Sequence, residues 1–198
     1  MRNFIKFSAV ACVCVGLAVA DGGFIGVEGG YSFGSKLSTS GGSVKDGAPN
    51  IGIKGGYDWG DLRNYIQYNH HFKAKKSGQD DGIKEKDKWS TNEIITGFDW
   101  TPSVADGAKF VLGAYTGVSW LDIKADLEFE DGRKEQIKDN LKGWLLGAKL
   151  GAIVSLNDNT EVEGGLKVDK TFGYHSNGVL SDIKQLKYGA YMGVNFKF

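Results

Sequence analysis

The sequence predicts an all-β chain: an eight-stranded antiparallel up-and-down transmembrane β-barrel, preceded by a cleavable signal peptide. Three observations carry this expectation. Apolar residues recur with period two along eight segments, the connections between those segments alternate strictly between short and long, and the tryptophans gather at segment ends.

Composition sets the frame. The chain has 198 residues, and removal of a targeting segment leaves one domain of ordinary size with no low-complexity linker. Lys+Arg and Asp+Glu both number 24, so no basic excess draws nucleic acid, which is not an expected partner. No run of about eighteen apolar residues occurs, which argues against a helical span. A polar mean hydropathy does not argue against a barrel, because only alternate residues of its strands face lipid. The 30 glycines, abundant aromatics and 2 prolines fit a β-rich chain with tight turns.

The amino terminus reads as an export signal. Arg2 and Lys6 precede an apolar stretch from Phe7 to Ala20 that ends Ala18-Val19-Ala20 before Asp21, placing cleavage after Ala20. The expected division is therefore a signal peptide over 1–20 and a barrel over 21–198. Cys12 and Cys14 lie within the signal, so the mature chain is expected to carry no thiol or disulfide. Ala9-Val10-Ala11-Cys12 could form a lipidation box, but it leaves almost no apolar helix before the cysteine.

The eight expected strands are Gly23–Phe33, Pro49–Trp59, Leu62–Phe72, Trp89–Thr101, Lys109–Leu121, Leu141–Leu156, Thr160–Phe172 and Gln185–Phe198. Each has about the nine to eleven residues that a tilted strand needs to cross a bilayer, or slightly more. Gly60-Asp61, Pro102–Gly107 and Asn157-Asp158-Asn159 make short connections. Gly34–Ala48, Lys73–Lys88, Asp122–Asn140 and Gly173–Lys184 make long, charged ones. Short turns on one side of a membrane and long loops on the other produce this alternation. Within the third long connection, Ile123, Ala125, Leu127 and Phe129 alternate with charged residues before Asp131-Gly132. Strands five and six are thus expected to continue as a projecting hairpin. Apolar parity shifts at Trp120-Leu121, where a bulge is expected.

Aromatic rings favour the boundary between headgroup and hydrocarbon. Trp59, Trp100, Phe110 and Phe198 fall on the short-turn side, and Phe33, Trp89, Trp120 and Trp144 on the long-loop side, giving two girdles. Between them, Trp144, Leu146, Ala148, Leu150, Ala152 and Val154 mark a lipid face interleaved with Gly147, Lys149, Gly151 and Ser155. The opposite, polar face collects Glu28, Lys54, Asp58, Arg63, Glu93, Asp99, Lys149, Glu163, Lys167, Asp169 and Lys187. An eight-stranded barrel has an interior only wide enough for side chains, so these charges are expected to pair and plug the lumen. They are not expected to act as acid–base pairs. No cofactor or metal site is expected, and His70 and His71, adjacent on a strand, point to opposite faces.

The chain ends Tyr191-Met192-Gly193-Val194-Asn195-Phe196-Lys197-Phe198. This resembles the terminal signal read by the assembly machinery of outer-membrane barrels, with Tyr191, Gly193, Phe196 and Phe198 in the recognised places. Together with Phe24-Ile25-Gly26-Val27-Glu28-Gly29-Gly30-Tyr31, which looks like a first strand of the group, it is similar to the small OmpA-like, OmpX-like and opacity-type outer-membrane barrels, often called the porin family. The resemblance implies a bacterial outer-membrane location. The implied partners are outer-membrane lipid and lipopolysaccharide, the barrel assembly machinery and an unidentified extracellular ligand. No peptidoglycan-binding domain is expected after the barrel, and no cell-wall tether with it.

Three functions fit the resemblance. The first is a plugged barrel whose surface loops serve adhesion, interaction or envelope structure, with Lys73-Ala74-Lys75-Lys76 a candidate contact for anionic headgroups. The alternative is a small porin-like channel. An enzyme ranks third: His175-Ser176-Asn177 is similar to the His-x-Ser-Asn motif of the lipid A 3-O-deacylase family. The spacer is missing here, and neighbours on a strand cannot readily share the activating hydrogen bond.

Overall fold

Alternation of lipophilic and polar or small residues bends one long sheet around its polar face until its edges meet. The computed structural model describes residues 22–39, 42–80, 83–128, 134–175 and 183–198. Its strands are β1 (Gly23–Thr39), β2 (Gly42–Asp58), β3 (Leu62–Asp80), β4 (Ile83–Trp100), β5 (Ser103–Ala105), β6 (Ala108–Glu128), β7 (Lys134–Asn157), β8 (Thr160–His175) and β9 (Ile183–Lys197). All but β5 form the wall, each antiparallel to its neighbour, with β4 paired to β6 and β9 to β1. The result is a closed eight-stranded barrel with no helix among the described residues.

The closing seam between β1 and β9 runs from Phe24↔Lys197 to Ser38↔Lys184. At its lower end the Phe198 amide donates to the Gly23 carbonyl at 2.9 Å, and the Gly22 amide donates to the Phe198 carbonyl at 3.0 Å. Within the apolar band closure leaves no wall strand with a bare edge, the one arrangement of strands that satisfies every backbone group in hydrocarbon.

The exterior is apolar. Val27, Ile51, Phe98, Leu112, Leu150, Leu166 and Met192 are all exposed on it. From Trp144 to Val154 the outward face of β7 is apolar throughout. That path is roughly 33 Å at ~3.3 Å per residue, or about 25 Å of height at a ~40° tilt, the dimension of a bilayer's hydrocarbon layer in such barrels.

Two expectations need correction. Three of the four long connections are mostly strand: the ladders extend to Thr39↔Gly42, Asp80↔Ile83 and Glu128↔Lys134. Beyond the apolar band both faces of a hairpin are wet, so period-two apolarity fades while cross-strand hydrogen bonding continues. Lys73-Ala74-Lys75-Lys76 accordingly belongs to β3, with Ala74, Lys75 and Lys76 opposite Trp89, Lys88 and Asp87. The β6–β7 hairpin projects as expected, while Asp131-Gly132 lies outside the described residues. Of the short connections, Pro102–Gly107 contains β5, which pairs with the start of β6.

The second correction concerns the bulge. Register through Trp120 and Leu121 is unbroken against both β4 and β7. Leu121 instead points inward with its cross-strand partner Leu141, both fully buried. The parity shift marks apolar residues moving from outside to inside above the polar lumen. Irregularities occur elsewhere at the same end, in β1 between Ser32 and Ser35, in β3 between His71 and Ala74, and in β8 between Thr171 and Tyr174. Gly173 occupies the last of these with φ 60°, a left-handed conformation that glycine adopts without a Cβ clash.

Candidate functional site

Any wall residue that does not face outward faces a lumen too narrow for bulk water, so charges there must meet partners from other strands. They do so in three tiers. Nearest the short turns, Arg63 of β3 reaches Asp58 of β2 (Nη2–Oδ2 2.6 Å, Nε–Oδ2 3.0 Å) and Glu161 of β8 (2.5 Å). Lys197 lies 3.4 Å from both Asp58 and Glu161, and Lys109 lies 3.7 Å from Asp58.

Glu163 of β8 organises the middle tier. It accepts hydrogen bonds from Lys54 at 2.7 Å, Lys149 at 2.9 Å and the Asn195 side-chain amide at 3.2 Å. Lys149 also pairs with Asp99 at 2.8 Å. Glu28 is 3.0 Å from Lys167 and 3.5 Å from Lys54. In the upper tier Lys187 pairs with Glu93 and, at 3.2 Å, with Asp169. His71 Nε2 lies 3.0 Å from Glu93, and the Tyr115 hydroxyl donates to Asp169 at 3.3 Å.

Across the tiers, the cations Lys54, Arg63, Lys149, Lys167 and Lys187 with the rim lysines Lys109 and Lys197 equal in number the anions Glu28, Asp58, Glu93, Asp99, Glu161, Glu163 and Asp169. Neutralisation is local as well as total, since each carboxylate has a cation at contact distance. Rings fill the space between tiers. Lys149 Nζ stands 4.5 Å from the Tyr65 ring centroid and 5.5 Å from that of Tyr191, and the Arg63 guanidinium stands 5.3 Å from that of Phe24. Small residues opposite the rings make this packing possible: a Cβ on Gly147 would collide with the Tyr115 ring. The void among Glu28, Tyr65, Asn69, His71, Glu93 and Lys149 offers about 10 Å³, near the minimum for one water.

Each lumen residue expected from the alternation lies on the inward face, and Lys167 alone of them is half-buried. The same alternation holds Glu161, which is absent from the expected set, and His71, whose partner Glu93 is visible only in three dimensions. His70 points outward, where its Nδ1 lies 2.8 Å from the Asn92 side chain.

Of the girdle residues, Phe33, Trp59, Trp100, Phe110 and Trp144 are exposed on the outer wall and Trp120 is half-buried; the side chain of Trp89 lies outside the described part of the structure. Trp89, Trp120 and Trp144 are not at strand ends, because β4, β6 and β7 run past them. They sit where the strands leave the apolar band. At the carboxyl end Phe196 and Phe198 face outward, while Tyr191 is buried in the lumen and Gly193 is paired with Glu28 and Glu163.

Residues 1–20, with the expected signal peptide, lie outside the described residues, as do Ser176 and Asn177. His175 ends β8 opposite Lys142. Among the described residues no group of His, Cys, Asp and Glu has the arrangement of a metal site.

Neither any known protein-family model nor any curated protein sequence matches this chain. Solved structures do match it over most of its length. Ail, the attachment invasion locus protein of Yersinia pestis, is 13% identical with a TM-score of 0.53, covering 90% of this chain and 100% of its own. A major outer membrane protein from Thermus thermophilus is 14% identical with a TM-score of 0.52, covering 89% and 99%. The outer membrane protease OmpT from Escherichia coli is 10% identical with a TM-score of 0.50, covering 89% and 96%. A protease among them shows that this architecture does not by itself decide between enzyme and non-enzyme. At these identities the likeness is one of fold: the chain folds as the β-barrels of bacterial outer membranes do.

Proposed function

We propose that this chain is an integral outer-membrane barrel whose lumen is closed by its own paired charges. Its hairpin ribbons, which project beyond the membrane, make contacts for adhesion or envelope structure. The observation that carries the reading is the neutralised three-tier network with a void of about 10 Å³ among its members, which supports a lumen without a continuous aqueous path. Location is supported by the apolar band, its aromatic borders and the shared fold. The attachment role in Ail's name belongs to that protein, but it supports the ribbons as the contacting part here.

The expected partners are the lipids around the band, the assembly machinery that reads the carboxyl end, and a ligand met by the ribbons. The test is single-channel conductance of the refolded chain in a planar bilayer. A heat-modifiable, β-rich barrel that inserts without ion-selective steps supports the plugged scaffold. Reproducible steps that change selectivity in Lys149→Glu would make it a small channel instead.

A further inference from the structure

The outer wall is not equivalent all the way round. Among outward-facing wall positions with described side chains, the charged residues are Asp122, Lys142, Lys170 and Lys184. The three lysines fall together on β7, β8 and β9, around the Trp144–Phe172 ring contact. Asp122 accepts a hydrogen bond from Asn140, and none of the three lysines has a carboxylate partner among the described residues.

Lys170 is the deepest of them. In register it is flanked by Leu146 and Leu186, both exposed to the outside, and it lies one outward position below Phe172. Its Nζ rises to 5.1 Å from the Phe172 ring centroid, as a snorkelling lysine directs its charge toward the headgroup level. Directly beneath it the wall is hollowed. A groove of about 450 Å³ is lined by Ala148, Leu150, Leu166, Val168, Tyr188 and Phe33. Ala148 forms a low floor between larger walls, and nothing on the groove's accessible surface calls for a polar partner.

We propose that the β7–β9 face is a binding site for a phosphorylated, multiply acylated glycolipid of the outer leaflet. Lys170 pairs with a headgroup phosphate, Lys142 and Lys184 receive its further negative charge, and one acyl chain lies in the groove below. Charge complementarity selects this occupant: cations at headgroup depth with no carboxylate partner among the described residues match a lipid with more than one phosphate, while a zwitterionic lipid brings its own cation. The proposal rests on the outer-membrane reading and adds to it a lipid class and an address on the wall.

The test is native mass spectrometry of the folded full chain in detergent, titrated with diphosphoryl lipid A, its dephosphorylated counterpart and phosphatidylglycerol. The wild type is expected to retain diphosphoryl lipid A above both others. Lys170→Gln is expected to weaken that retention about fivefold, the effect of roughly one lysine at an anionic lipid surface. Ala148→Phe, which fills the groove, is expected to weaken retention of the phosphorylated and dephosphorylated glycolipids alike. Equal retention of the two by the wild type overturns the proposal, as does an undiminished preference in Lys170→Gln. A dimer abolished by Ala148→Phe also overturns it, giving the groove to a second copy of this chain. Heat-modifiable insertion into vesicles is measured alongside. A chain that inserts without lipid preference refutes this site alone, whereas a chain that does not insert refutes the location with it.

Discussion

Lys149→Met tests whether the lumen network holds the barrel together or merely fills it. Lys149 is the cation nearest Asp99 at 2.8 Å, while Glu163, its other partner at 2.9 Å, keeps Lys54 at 2.7 Å. Methionine retains most of the side-chain volume against the Tyr65 and Tyr191 rings, so little of the effect is a cavity. What is lost is the counter-charge of Asp99, a carboxylate only 2% exposed. Removing one partner of a buried pair costs about 3–5 kcal/mol. That corresponds to a folding constant lower by roughly two to four orders of magnitude, at ~1.4 kcal/mol per decade. The assay is reversible denaturant unfolding of the barrel in lipid vesicles, followed by tryptophan emission and by heat-modifiable gel mobility. Lys149→Met with Asp99→Asn should recover much of the loss, because the second change removes the stranded charge. A single-variant cost below about 1 kcal/mol, typical of an exposed pair, would refute the claim that this tier is dry and mutually neutralised.

Three further outcomes follow from the wall and the seam. Leu150→Arg puts a cation on the outer wall midway down the apolar band of β7, and should cost about 2–4 kcal/mol in the same unfolding assay. Gly147→Val drives a side chain into Tyr115 and should cost about 1–3 kcal/mol by overpacking, with much of the loss recovered when Tyr115→Leu is added; an unchanged midpoint would show that the ring moves freely. Deletion of Phe198 should sharply reduce the amount of assembled barrel in cells while leaving refolding into detergent largely intact. Equal loss in both settings would mean that the terminal residue serves closure of the wall and not recognition.

Much of this architecture is legible in the sequence because a membrane leaves a strand few options. Once Ile51 and Ile53 point outward, Lys54 has nowhere to go but the lumen, and the same logic places Glu163 and Lys167. Which lumen charges meet is not legible. Lys54 and Glu163 are 109 residues apart, and their contact depends on the stagger of strands around the ring, which no local pattern records. The hairpin extensions are hidden for the opposite reason: above the band water accepts either face, so Lys75 opposite Lys88 carries no periodic mark of the ladder it belongs to. At Leu121 the parity change is real, but a bulge is not its cause. The backbone continues undisturbed, and the apolar side is now the inside. Gly173 has the sequence marks of a loop start, yet it is a kink within a strand that runs on to His175.

The seam between β1 and β9 also fixes the order in which the molecule can be made. Every other ladder of the wall joins consecutive wall strands, whose short connections cost little entropy to close. The seam joins Phe24 to Lys197 and must await nearly the whole chain. Until β9 arrives, β1 presents an open row of amides and carbonyls, a template on which another unfinished chain could pair. Closure is therefore the late and vulnerable event, and a chain that lacks β9 is left as an open sheet and not as a slightly smaller barrel.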